Sequence, residues 1–88
     1  MDYQFIFEWG ENWTVTEDNF LWDAIYWFKV LARHIDYYRK NTKCKDLITT
    51  AYIYVGKDYH GIISVSDNYV HVIYDYFDYK ICWRVDEL

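Results

Sequence analysis

Residues 47–76, LITTAYIYVGKDYHGIISVSDNYVHVIYDY, decide the fold class. In 47–57, Thr50, Tyr52 and Tyr54 alternate with Ala51, Ile53 and Val55, the period of two that makes a strand, and the β-branched content favours extended backbone. Gly56-Lys57-Asp58 has turn chemistry, YHGIISVS at 59–66 is a second alternating run, and Ser66-Asp67-Asn68 is a second turn. In 69–76, Val70, Val72 and Tyr74 face away from His71, Ile73 and Asp75. Three alternating runs joined by tight turns define an antiparallel meander. Downstream, KICWRV at 80–85 sets Ile81, Trp83 and Val85 against Lys80, Cys82 and Arg84. In this reading the third strand ends at Tyr76, Phe77-Asp78 makes the return, and Tyr76 faces Tyr79 across the hairpin mouth with Asp75 and Asp78 solvated beside them.

Upstream, YQFIFEW at 3–9 alternates Tyr3, Phe5, Phe7 and Trp9 against Gln4, Ile6 and Glu8, a further strand broken by Gly10 and Asn12. Thr14-Val15-Thr16-Glu17 has the form of a capping box, which predicts a helix start. From 16 to 41 the spacing is helical. Leu21, Ala24, Phe28, Leu31, Ile35 and Tyr38 advance by threes and fours, with Phe20, Ile25 and Trp27 widening the stripe. Acids at its start and Arg39, Lys40 and Lys43 at its end match the helix dipole. The far side of the wheel carries Trp22, Tyr26, Val30 and Tyr37, so the helix is apolar on two sides. Asn41 to Asp46 reads as a polar, basic connection.

The expected architecture is α+β within a single domain, 1–88: an N-terminal strand, one long helix, then three to four antiparallel strands forming one sheet with the helix on one face. The other face, lined by residues such as Tyr52, Tyr54 and His60, is then left to solvent or a partner.

The chain has 88 residues, of which 24% are aromatic: 11 Tyr, 5 Trp and 5 Phe. A core this small cannot enclose every ring, so several must lie at the surface, where aromatic residues commonly make contacts. Net charge is −5 and is segregated: residues 1–23 sum to −6, 24–45 to +5 and 46–88 to −4. An acidic balance disfavours sequence-independent nucleic-acid binding, which depends on neutralising phosphates, and suits a basic partner. No apolar run has transmembrane length and the N-terminal stretch has no basic signal-peptide start, so the expectation is a soluble cytoplasmic protein without a membrane partner. Cys44 and Cys82 stand apart, outside any metal-type cluster, and are expected as reduced thiols; a single disulfide would require secretion.

Candidate chemistry is sparse. His34, His60 and His71, even with Cys82, lack the local spacing of zinc modules. Ser64, Ser66 and the cysteines have no glycine-rich elbow, and three glycines make no phosphate-cradling loop. Aromatic sheets that bind RNA sit in basic surroundings, and here bases concentrate in 29–45. The expectation is therefore a non-enzymatic protein with no metal, no cofactor and no direct nucleic-acid ligand. What remains is an acidic, aromatic-rich contact surface, in which carboxylates stand where phosphates would and rings anchor the complex. The expected contact residues are Glu8, Glu11, Trp22, Tyr26, Tyr52, Tyr54, Asp58, Tyr74, Asp75, Tyr76 and Asp78.

A short, acidic, proline-free, aromatic-rich chain with a helix on an antiparallel sheet resembles, in type and over its whole length, the small proteins that phages and archaeal viruses encode against host defences, anti-CRISPR and anti-restriction proteins. The resemblance has no specific motif and transfers no functional residues. It implies stoichiometric inhibition of a nucleic-acid enzyme in the host cytoplasm by occupying its DNA- or guide-binding surface. The competing expectation is a self-associating module, a homodimer through Trp22, Tyr26, Val30 and Tyr37 with no nucleic-acid connection.

Overall fold

The computed structural model describes residues 2–16, 24–42, 49–66, 68–75 and 79–88. They form β1 (Asp2–Phe7), β2 (Asn12–Thr16), α1 (Ala24–Asn41), β3 (Thr49–Val55), β4 (Asp58–Ser66), β5 (Tyr69–Tyr74) and β6 (Tyr79–Arg84), followed by a 3₁₀ turn over Val85–Glu87. The six strands make one antiparallel sheet in the order β2-β1-β3-β4-β5-β6. β2 and β3 both run antiparallel to β1 and flank it, so the chain between them must pass over β1. α1 lies in that crossing and covers one face of the sheet.

The α+β class is as expected, with one more strand than the sequence pattern suggested. Thr14 and Thr16 belong to β2, so Thr14 does not cap a helix. Trp13 and Val15 are half-buried while Asn12, Thr14 and Thr16 are exposed, and this period of two holds as far as Thr16. Glu17 and residues 18–23 lie outside the described residues, including Phe20, Leu21 and Trp22. Gly10, at φ 99°, closes the β1–β2 hairpin by donating its N–H to the Phe7 carbonyl. That left-handed backbone explains the glycine after Trp9.

The core is one contiguous cluster. Tyr3, Phe5 and Phe7 from β1, Ala51 and Ile53 from β3, Ile63 and Val65 from β4, and Val70, Val72 and Tyr74 from β5 meet Ala24, Phe28, Leu31, Ala32 and Ile35 of α1. The helical spacing and the strand alternation agree on this list. Ile25 is the exception among the helix residues, 45% exposed and off the buried stripe. The β5–β6 return also differs from expectation. Tyr79 is in register with Tyr74, not Tyr76, so β5 stops two residues earlier; Tyr76, Phe77 and Asp78 lie outside the described residues.

A register shift between Ile53 and Tyr54 sets the geometry of the middle of the sheet. Ile53 pairs with Gly61 and Tyr54 with Tyr59, which leaves His60 as an extra residue on β4. A bulge of this kind breaks the alternation. His60 turns to the helix side, where its Nδ1 lies 3.3 Å from the hydroxyl of the buried Tyr74. It therefore does not line the open face with Tyr52 and Tyr54. Gly61 is required beside it, because a Cβ there would stand 2.8 Å from both the Ile73 carbonyl oxygen and the Tyr74 ring. Gly61→Ala is expected to cost about 1–3 kcal/mol, as overpacking does. Urea denaturation would show a lower midpoint at an unchanged slope.

Candidate functional site

The helix covers one face of the sheet, and no described element covers the other. Strand register orders the side chains of that open face into rows. The central row runs Ile6, Tyr52, Ile62, Ile73 across β1, β3, β4 and β5, with Asn12 at one end and Lys80 at the other. Beside it, Thr14, Gln4, Tyr54 and Tyr59 form a second row, and Thr50, Ser64, His71 and Cys82 a third. Ile73 is 43% exposed and Tyr59 45%. Ile6, Tyr52 and Ile62 are half-buried by their neighbours and Ile73 is exposed, so the row is an apolar stripe at the surface on four adjacent strands.

The second row ends in a cluster. The Tyr54 and Tyr59 rings meet edge to face at 5.8 Å. Burial, and after it the nearby Asp75 carboxylate, pushes the Tyr59 hydroxyl above its ordinary range. Asp2 lies at the same end of the face and accepts a hydrogen bond from Thr16 Oγ1 at 2.8 Å. This end of the face therefore sets Tyr54 and Tyr59 beside the Asp75 carboxylate, with Asp2 on β1 turned toward Thr16 of the β2 edge. The edge strand β6 instead presents exposed Lys80 and Cys82 to the open side.

Of the expected contact residues, the structure brings Tyr52, Tyr54 and Asp75 together here. Asp58 stands at the tip of the β3–β4 hairpin opposite Val55, at the same end but on the helix side of the rim. Tyr26, 61% exposed, lies on the first turn of α1. Tyr74 is withdrawn: it is 1% exposed and packs against Phe28 at 5.5 Å, so it cannot be a contact. Trp22, Tyr76 and Asp78 lie outside the described residues, as does Cys44. Tyr59 and the isoleucine row were not singled out beforehand. The bulge hides Tyr59 from simple alternation, whereas Ile6 and Ile73 were legible as outward positions.

Glu8 and Glu11 occupy the opposite end of the strands, in the β1–β2 hairpin. Glu11 is a structural hub. Its Oε1 accepts from Trp9 Nε1 at 2.9 Å and from His34 Nε2 at 2.7 Å, and its Oε2 accepts from Trp13 Nε1 at 2.9 Å. Since a carboxylate only accepts, His34 carries its proton on Nε2. Rings surround these bonds: Trp9 stacks on Tyr38 at 3.8 Å, and Phe7 packs against Trp9, Trp13 and His34. The cluster ties the hairpin to the helix, so the Glu11 carboxylate, though 37% exposed, is committed to bonds within the chain. The His34 hydrogen bond, opposed by burial and helped by the two indoles, holds the Glu11 carboxyl below the usual glutamate range.

Among the described residues, no group of three or more His, Cys, Asp and Glu is placed to hold a metal ion, and no helix is long and apolar enough to cross a membrane. His71 and Cys82 are register partners on the open face, while His60 is turned to the other side. In comparisons with known proteins, no family, no curated protein and no solved structure matches this chain.

The hub makes a pH prediction. Glu11 is held ionised more strongly in the folded state than in the unfolded chain. Its contribution is therefore complete above the unfolded glutamate pKa of about 4.3 and is lost as pH falls below it. Glu11→Ala is expected to lose about 0.5–1.5 kcal/mol at pH 7, the net worth of hydrogen bonds to a carboxylate that solvent still partly screens. Urea denaturation followed by tryptophan fluorescence should show the gap between wild type and variant narrowing at pH 3. A gap that stays constant with pH would remove the charged hydrogen bonds from the account.

Proposed function

We propose that this protein works by binding rather than catalysis, docking the open sheet face onto another protein. The observation that carries the proposal is the uncovered row Ile6, Tyr52, Ile62 and Ile73, bordered by Tyr54, Tyr59, Asp2 and Asp75. A row of apolar side chains flanked by tyrosine supplies a desolvating centre. Carboxylates at one corner supply orientation and a preference for positive charge. The finer form of the proposal is an inhibitor of a nucleic-acid-processing protein that covers part of its basic surface. The acid-tyrosine corner and the net charge of −5 support it.

A second reading has its own observation. Tyr26 and Tyr37, 61% and 66% exposed, share the outer side of α1 with half-buried Val30, which favours a homodimer through the helix. Light scattering separates the two, since a dimer that Tyr26→Ala and Tyr37→Ala convert to monomer belongs to the helix side.

The test of the first reading compares three proteins in a pull-down from nuclease-treated lysate: wild type, Ile73→Glu with Asp75→Lys on the open face, and Tyr37→Ala on the helix. The expected result is a basic nucleic-acid-binding protein that wild type and Tyr37→Ala retain, that added DNA releases, and that the open-face variant fails to hold. Retention by a folded open-face variant at the wild-type level would sink the proposal.

A further inference from the structure

A cleft of about 730 Å³ opens between the C-terminal half of α1, the β4–β5 turn and the segment after β6. It lies at the far end of β4 from Asp58, roughly 25–30 Å along the strand, and is separate from the acid-tyrosine corner. Its floor is closed by the backbone, where the Val85 N–H donates to the Asn68 carbonyl at 2.7 Å.

Charge in this cleft runs against the rest of the molecule. Three bases, Arg33, Lys40 and Arg84, meet two acids, Asp36 and Asp86, in a chain of net charge −5. The acids are already engaged: Lys40 Nζ lies 2.7 Å from Asp36 Oδ2, and Arg84 Nη2 lies 2.9 Å from Asp86 Oδ2. Arg33 has no acidic partner among the described residues and presents its planar set of donors to the cleft. Tyr37 and Tyr69, 66% and 49% exposed, line the same space. They offer flat apolar faces, and among the described residues their hydroxyls make no hydrogen bond.

We infer that this cleft binds a small flat-ringed anion of the nucleoside monophosphate type, its phosphate on Arg33 and its ring against Tyr37 and Tyr69. A guanidinium takes phosphate with paired, charge-assisted hydrogen bonds, and an aromatic face takes a base of any identity. The Lys40–Asp36 and Arg84–Asp86 pairs flank the site without contributing net repulsion. The volume is within the range of small-molecule pockets.

Titration of isotope-labelled protein with adenosine monophosphate, followed by NMR, tests this. The expected result is saturable shifts at Arg33, Tyr37 and Tyr69, with adenosine and inorganic phosphate each binding more weakly than the complete probe. Arg33→Gln should weaken binding by about tenfold or more, the scale of one lost charge-assisted contact. Lys57→Gln, at the opposite end of the sheet, should change nothing. Shifts that fail to saturate at millimolar probe, or binding that is equal in wild type and a folded Arg33→Gln protein, would overturn the inference.

Discussion

A helix of 18 residues is about 27 Å long and about 10 Å across, whereas six strands at their usual spacing make a sheet about 24 Å wide with two faces to shield. The crossing connection from β2 to β3 places that helix on one side, and no described element returns to the other. Burial follows from this inequality. On the helix side Phe5, Phe28, Leu31, Ile35 and Ile53 are fully enclosed, while on the opposite side Tyr52, Tyr54 and Ile62 remain half-buried and Ile73 more exposed still. The open face is thus a product of the same topology that builds the core.

The aromatic richness of the chain divides along a chemical line. Trp9, Trp13, Trp27 and Trp83 all pack against the core without being fully buried, and two of them spend their indole N–H on Glu11. The most exposed of the Phe, Trp and Tyr rings among the described residues are tyrosines: Tyr26, Tyr37, Tyr59 and Tyr69. A tyrosine ring can lie against a surface with its hydroxyl hydrated, which makes exposure tolerable until a partner arrives. Tryptophan has more apolar area to lose and here serves as the seal between the β1–β2 hairpin and α1.

Much of the fold was legible because two periods are written clearly into the chain. Ala24, Phe28, Leu31 and Ile35 repeat at helical spacing, and Val70, Val72 and Tyr74 at strand spacing, and each set is buried as its period requires. β2 escaped because Thr14-Val15-Thr16-Glu17 satisfies two local rules at once, capping and alternation, and the tertiary pairing of Asp2 with Thr16 decides between them. The bulge at His60 was illegible for a different reason. One extra residue in a strand changes no composition and no average period, yet it moves His60 to the helix side and Tyr59 beside Tyr54. For the candidate site this meant that Tyr52, Tyr54 and Asp75 were legible as outward positions by alternation, whereas Tyr74 is buried and Tyr59 stands outward beside Tyr54. Glu11 was read as a free surface acid because its shortest bond goes to His34, 23 residues away, a distance no local pattern spans.

The strand order has a kinetic side. β3, β4, β5 and β6 are joined in sequence by hairpins, so each pairing closes a short loop. β1 meets β3 only after α1 has been traversed, with Phe7 opposite Ala51. Closing that long loop costs more chain entropy than closing any hairpin, and the reward, burial of Phe5 and Phe7 beneath the helix, comes only once it is closed. The sheet therefore has a local half that can assemble from neighbouring contacts and a non-local half that waits for the helix. The Glu11 cluster spans the two, since it fastens the β1–β2 hairpin, itself a local pairing, to α1.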